Sequence, residues 1–361
     1  MDEDGLPDAL SSGEFERCKP YIDEVVTDPS SLRQYYQSLL QHIFVQTHVR
    51  EERDPWLAHP VIPVNAIKNI SSLRKDSPSR PLVEFAARIA LEAQPSGGVG
   101  DWPEVPPEAL NQSVFVADLF NALQQGDLEK ASEEAARLAL ISDNKLYVLE
   151  ILMEACTRKF DTLGLLGYSI FRAAAFCAQI DIGSFILPLL KSAARERIQH
   201  IRMSSPEEFD MDAYGWPVLS RGGLEDVVLY AVAHRLWNLE SVKQSAFRGG
   251  IALWLAEKYG TPTRIPGGGV SHRPNKTSNS ASLWDQADPE ALAAHLQGAR
   301  ERGDMTWAVD LGEHWFREGI PLNSGHFVAL DSLQHLAGVV PDSCLIFLGE
   351  NLLSLPSQLA K

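Results

Sequence analysis

The chain has 361 residues, 45% hydrophobic and 22% charged, a balance that supplies a large core and excludes disorder throughout. Its formal net charge is −16, from 48 acidic and 32 basic residues, so nucleic acid and anionic lipid are repelled and neither is expected as a partner. The four cysteines, Cys18, Cys156, Cys177 and Cys344, form no CxxC pair, and no apolar run reaches the roughly 18 residues of a membrane span, so a soluble, reducing, cytoplasmic setting is expected.

Residues 1–30 are rich in Asp and Glu, lack a basic-then-apolar leader pattern, and read as a disordered acidic tail. Asp28-Pro29-Ser30-Ser31 then supplies cap chemistry. It precedes Leu32, Tyr35, Tyr36, Leu39, Leu40, Ile43 and Phe44, whose spacing is that of an amphipathic helix. Asp54-Pro55 and His59-Pro60 interrupt the pattern, and further helices are expected over 61–73 and 81–92, completing an N-terminal helical segment at 31–93. Residues 94–112 are dense in Pro and Gly and read as a linker.

The central segment, 113–260, is predicted to be densely helical. Its stripes include Phe115–Leu123, Leu128–Leu138, Leu146–Cys156, a helix over 163–180 and another from Ile182 that must tolerate Pro188. A break at 204–223 precedes helices over 224–239 and 242–259. The first of these, containing VVLYAVAHRLW, is apolar nearly all round and is expected at the centre of its bundle. Residues 261–286 read as a Gly/Ser-rich linker. A C-terminal segment, 287–361, carries helices over 289–302, 305–318, 326–338 and 343–353 and is expected to pack on the central domain. No strand pattern occurs. The short turns make neighbouring helices antiparallel, which gives an all-α fold of helical hairpins in a bundle or an irregular solenoid-like array.

One internal match stands out. ADLFNALQQGDLEKA, residues 117–131, aligns without gaps to AHLQGARERGDMTWA, residues 294–308, sharing the Gly-Asp turn at 126–127 and 303–304. Glycine would end one helix in a left-handed conformation and aspartate would cap the next. A duplicated hairpin would suit a repeat scaffold with a concave binding face; the turn chemistry alone explains the match equally well.

Ten histidines are present, without an HExxH or ExxH pair. Glu196 and His200, four apart, would share a helix face and could hold a metal. His234 follows Tyr230 by one turn in the apolar helix, either as a core histidine or as half of an acid–base pair. His59 and His326 each open an apolar stretch at an expected helix start, where the helix dipole keeps an imidazole neutral, and Tyr168 occurs in a comparable context. If these five side chains converge they would outline a pocket. Gly267-Gly268-Gly269 has neither the preceding strand nor the Lys-Ser/Thr of a phosphate-binding loop.

Two functional expectations follow. The first is a helical interaction or scaffold protein that binds a protein partner through a groove between hairpins. The second is a helical enzyme with a His/Tyr-lined apolar pocket, acting on a small organic substrate by acid–base or oxidative chemistry; the expected partner is accordingly a protein or a small apolar molecule. No residue pattern names a cofactor, and self-association is compatible with both.

Overall fold

The computed structural model describes residues 5–46, 59–93, 102–106, 113–144, 146–177, 182–199, 206, 208–262, 284 and 288–359. Among the described residues there are seventeen α-helices and no strand. In chain order they are α1 (Gly5–Ser11), α2 (Phe15–Thr27), α3 (Leu32–Gln46), α4 (Val61–Ser72), α5 (Arg80–Leu91), α6 (Val116–Gln125), α7 (Leu128–Ile141), α8 (Tyr147–Thr157) and α9 (Phe160–Phe176). There follow α10 (Ile182–Arg195), α11 (Gly215–Arg221), α12 (Leu224–Trp237), α13 (Gln244–Tyr259), α14 (Pro289–Arg302), α15 (Trp307–Arg317), α16 (Ser324–Val339) and α17 (Leu345–Gln358). No helix of the described residues is long and apolar enough to cross a membrane.

The centre is a ring of four helices: α4 packs on α9, α9 on α12, α12 on α16, and α16 back on α4. These helices carry buried residues on every side, as in the unbroken run Val227–Ala233 of α12 and Gly325–Leu333 of α16. A helix enclosed by neighbours has no face to give to water, so its sequence loses amphipathic periodicity. Peripheral helices keep theirs: α5 buries Leu82, Val83, Ala86, Ala87, Ile89 and Ala90, while Arg88 faces out. Around the ring, α3 and α5 pack on α4 with α1 and α2 on their far side, α8 and α10 lie against α9, α13 covers α12, and α17 covers α16. The buried side chains form one contiguous core that draws on the N-terminal, central and C-terminal stretches alike.

The expected disordered tail at 1–30 is corrected: residues 5–27 form α1 and α2, and Leu6, Leu10, Cys18, Ile22 and Val25 are buried. The acid-rich composition hid a sparse stripe at 18, 22 and 25, whose helical spacing is interrupted in sequence by polar residues and Pro20. The Asp28 carboxylate accepts from Ser30 N at 3.1 Å and caps the short 3₁₀ turn that leads into α3.

Both Gly-Asp turns fold alike. Gly126 (φ 74) and Gly303 (φ 67) are left-handed, and the following amides, Asp127 N and Asp304 N, donate back to Ala122 O and Ala299 O. Beyond the turn they diverge. Asp127 caps α7 by accepting from Lys130 N at 3.0 Å, whereas Asp304 accepts from Thr306 N at 3.1 Å and α15 starts only at Trp307. α6 and α7 pack as a hairpin, while α14 lies instead along α17. The likeness is therefore that of a turn, as the chemistry of Gly-Asp by itself requires.

Candidate functional site

The expected one-helix pairing of Glu196 with His200 fails on the side that is described: α10 ends at Arg195, and Arg197 takes φ 48, which breaks the helical register. His200 lies outside the described residues, as does the glycine run 267–269. Among the described residues no group of three or more His, Cys, Asp or Glu could hold a metal ion.

His59 and His326 do the same structural job. At the start of α4, His59 Nδ1 accepts from Val61 N at 3.1 Å, and at the start of α16, His326 Nδ1 accepts from Asn323 N at 3.1 Å. The Asn323 side chain accepts in return from Gly325 N at 2.9 Å. A ring nitrogen that accepts a backbone hydrogen bond must be unprotonated, and burial lowers the proton affinity of His326 further. The neutral imidazole foreseen at these positions is thus a helix cap. His59 also lines a cavity of about 310 Å³ between α4, α5 and the start of α16, with Arg88, Asn323 and Phe85. His326 packs edge-on against Trp315.

Tyr230 turns away from the other candidates. Its hydroxyl donates to Met211 O at 3.0 Å, and burial pushes its acidity beyond reach of physiological pH. This bond ties the 208–214 loop to α12.

Tyr168 and His234 do meet. They line an open cleft of about 530 Å³ between the helices of the ring, with Arg172 and Tyr168 from α9, His234 and Arg235 from α12, Asp331 and His335 from α16, and Asn69 from α4. The Arg235 guanidinium grips Asp331 bidentately, at 2.7 Å to Oδ2 and 3.0 Å to Oδ1, and also donates to the Asp331 carbonyl at 3.0 Å. Asn69 Nδ2 donates to the same carboxylate at 3.3 Å, so one buried acid joins α4, α12 and α16. Burial alone would lower the Arg235 pKa, but the Asp331 carboxylate more than reverses this. The Tyr168 ring lies 5.9 Å from the guanidinium carbon.

Beside this pair, His234 Nδ1 and His335 Nε2 are 3.1 Å apart, and His234 Nε2 is 3.9 Å from Asp212 Oδ1. A tautomer pair with His335 Nε2–H donating to His234 Nδ1 leaves the proton of His234 on Nε2, the side of the ring nearer Asp212. Burial lowers the affinity of both rings for a second proton. Arg235 and His234 reinforce the effect at His335, whose pKa falls to about 2. Sequence reasoning missed Arg235, Asp331 and His335. The signal was faint: Asp331 and His335 stand four apart on a largely apolar helix, and a buried acid needs a buried base to meet it.

No known protein family model matches the chain, and no curated protein or solved structure is significantly similar to it.

Proposed function

We propose that the protein is a helical interaction protein and that the cleft between α4, α9, α12 and α16 receives a segment of a protein partner. The observation that carries this reading is the character of the cleft wall. The cleft is open to solvent, its buried charges are already matched to each other, and its rim holds Arg172 and Gln334, which have no hydrogen-bond or ion-pair partner among the described residues. Free amide and guanidinium donors on a rigid rim suit the carbonyls and carboxylates of an extended chain, while an enclosed, water-free chamber of the kind that promotes catalysis is lacking at this cleft. The test is site-specific photo-crosslinking in the native host. A photoreactive residue at Gln334 should give a discrete protein adduct that a control at Gln297 does not give, and Arg172→Glu should abolish it. Identical adduct patterns from both positions would overturn the reading.

A second reading rests on the row Asp212–His234–His335, an arrangement able to orient an imidazole for proton transfer at the cleft wall. It predicts that His335→Gln leaves partner crosslinking intact while abolishing turnover of a small substrate. Loss of the crosslinking together with turnover would count against a separate catalytic role.

A further inference from the structure

The basic residues of this acidic chain are not evenly neutralised. At the C-terminal end of α9, the Lys68 amine of α4 lies 4.5 Å from the centroid of the Phe176 ring, and the Arg33 guanidinium of α3 lies 5.5 Å from it. Arg172 stands one turn earlier on α9 and acts electrostatically on Lys68. Lys68 and Arg33 both act on the thiol of Cys177, next to Phe176. None of the three cations has a hydrogen bond or salt bridge among the described residues, although Arg33 and Arg172 are exposed and Lys68 is nearly buried. The neighbouring carboxylate, Asp331, is committed to Arg235.

We propose that Arg33, Lys68 and Arg172 form a binding site for a multiply charged oxyanion, the phosphoryl group of a small solute, on the surface shared by α3, α4 and α9. The cations do not cap α9, because none of them donates to a carbonyl of its last turn among the described residues, where Gln37 Nε2 donates to the Phe176 carbonyl at 3.0 Å. Left alone, the cluster repels itself: burial and then Arg172 depress the Lys68 pKa to about 8. A dianion between the three would reverse that repulsion. Two guanidinium forks and one ammonium point charge supply the donors that phosphoryl oxygens accept. The cation–π contacts hold Lys68 and Arg33 on one aromatic platform, so little side-chain freedom remains to be lost on binding. The inference does not rest on the partner-binding reading, since Arg33 lies outside the cleft and a small anion needs no protein partner.

The experiment is calorimetric titration of the full chain with inorganic phosphate, pyrophosphate and O-phosphoserine in about 50 mM NaCl, where charge effects are incompletely screened. Saturable binding with Kd below about 1 mM is expected for at least one of them. Arg33→Glu and Arg172→Glu, both at exposed positions, should each weaken it by about tenfold or more while leaving the melting temperature near the wild-type value. The same ligand should slow acylation of Lys68 near pH 8, because a bound anion holds the amine protonated. Absence of saturation at about 10 mM ligand, or equal affinities in the wild type and both variants, would overturn the proposal.

Discussion

Asp331 accepts hydrogen bonds from α4 and α12 while sitting on α16, and its side chain is almost wholly out of solvent. Truncating it leaves the Arg235 guanidinium buried without a counter-charge, a change that costs about 3–5 kcal/mol in comparable pairs. Asp331→Ala should therefore lower the urea-unfolding free energy by that order, whereas the double replacement Arg235→Met/Asp331→Leu should recover most of the loss, because the desolvation cost disappears with the charges. A single-variant loss under about 1 kcal/mol would show the pair to be solvated. The histidines make a separate prediction about pH. In the unfolded chain an imidazole titrates near 6.5, while in the fold His42, His234, His295, His326 and His335 are all lowered, chiefly by burial. Below about pH 6.5 the unfolded state thus binds more protons, so stability falls as pH falls, and for His335 this continues down to its folded value of about 2. Above about pH 6.5 these groups add no slope. Urea midpoints should be lower at pH 5 than at pH 7.5, and His335→Gln should narrow the gap; equal narrowing by a surface His replacement would contradict the assignment.

The helices that announce themselves in sequence are those with one wet face. α3 and α5 appear where the spacing of Leu32–Phe44 and Leu82–Ala90 places them. α9 begins earlier than the stripe implied, at Phe160, because interior helices carry no polar face to mark their ends. α2 was hidden because charged residues and Pro20 interrupt its buried positions 18, 22 and 25. The histidines at 59 and 326 were legible as residues at helix starts, but a cap and a catalytic base share that signature, and only the partner of Nδ1 separates them. The two Gly-Asp turns allow a direct comparison. Both glycines are left-handed, so alanine at either costs roughly 1 kcal/mol of strain. A Cβ at Gly126 would also come up against the Ala194 carbonyl and Arg197 at 3.4 Å, the near edge of van der Waals contact, whereas at Gly303 it would meet nothing within 4 Å. Gly126→Ala should accordingly lower the melting temperature more than Gly303→Ala does. The reverse order would mean that the α6–α7 turn is not packed against the end of α10.

The four-helix ring was the least legible feature, because its members lie far apart in the chain and each draws its neighbours from a different stretch: α4 from residues 61–72, α9 and α12 from the middle, α16 from 324–339. Sequence spacing speaks for contacts within a helix or across a short turn, and the Arg235–Asp331 pair spans neither. The candidate cleft inherits this illegibility: Tyr168 and His234 were recognisable individually, but Asp331 and His335, which meet Arg235 and His234, come from outside their stretch. If the ring is the cooperative centre of the fold, α4, α9, α12 and α16 must open together. Native-state hydrogen exchange at increasing sub-denaturing urea tests this directly. The slowest amides of all four helices should converge on one opening free energy and one urea dependence, and α4 or α16 exchanging through a smaller, separate opening would contradict a core built jointly from the three stretches of chain.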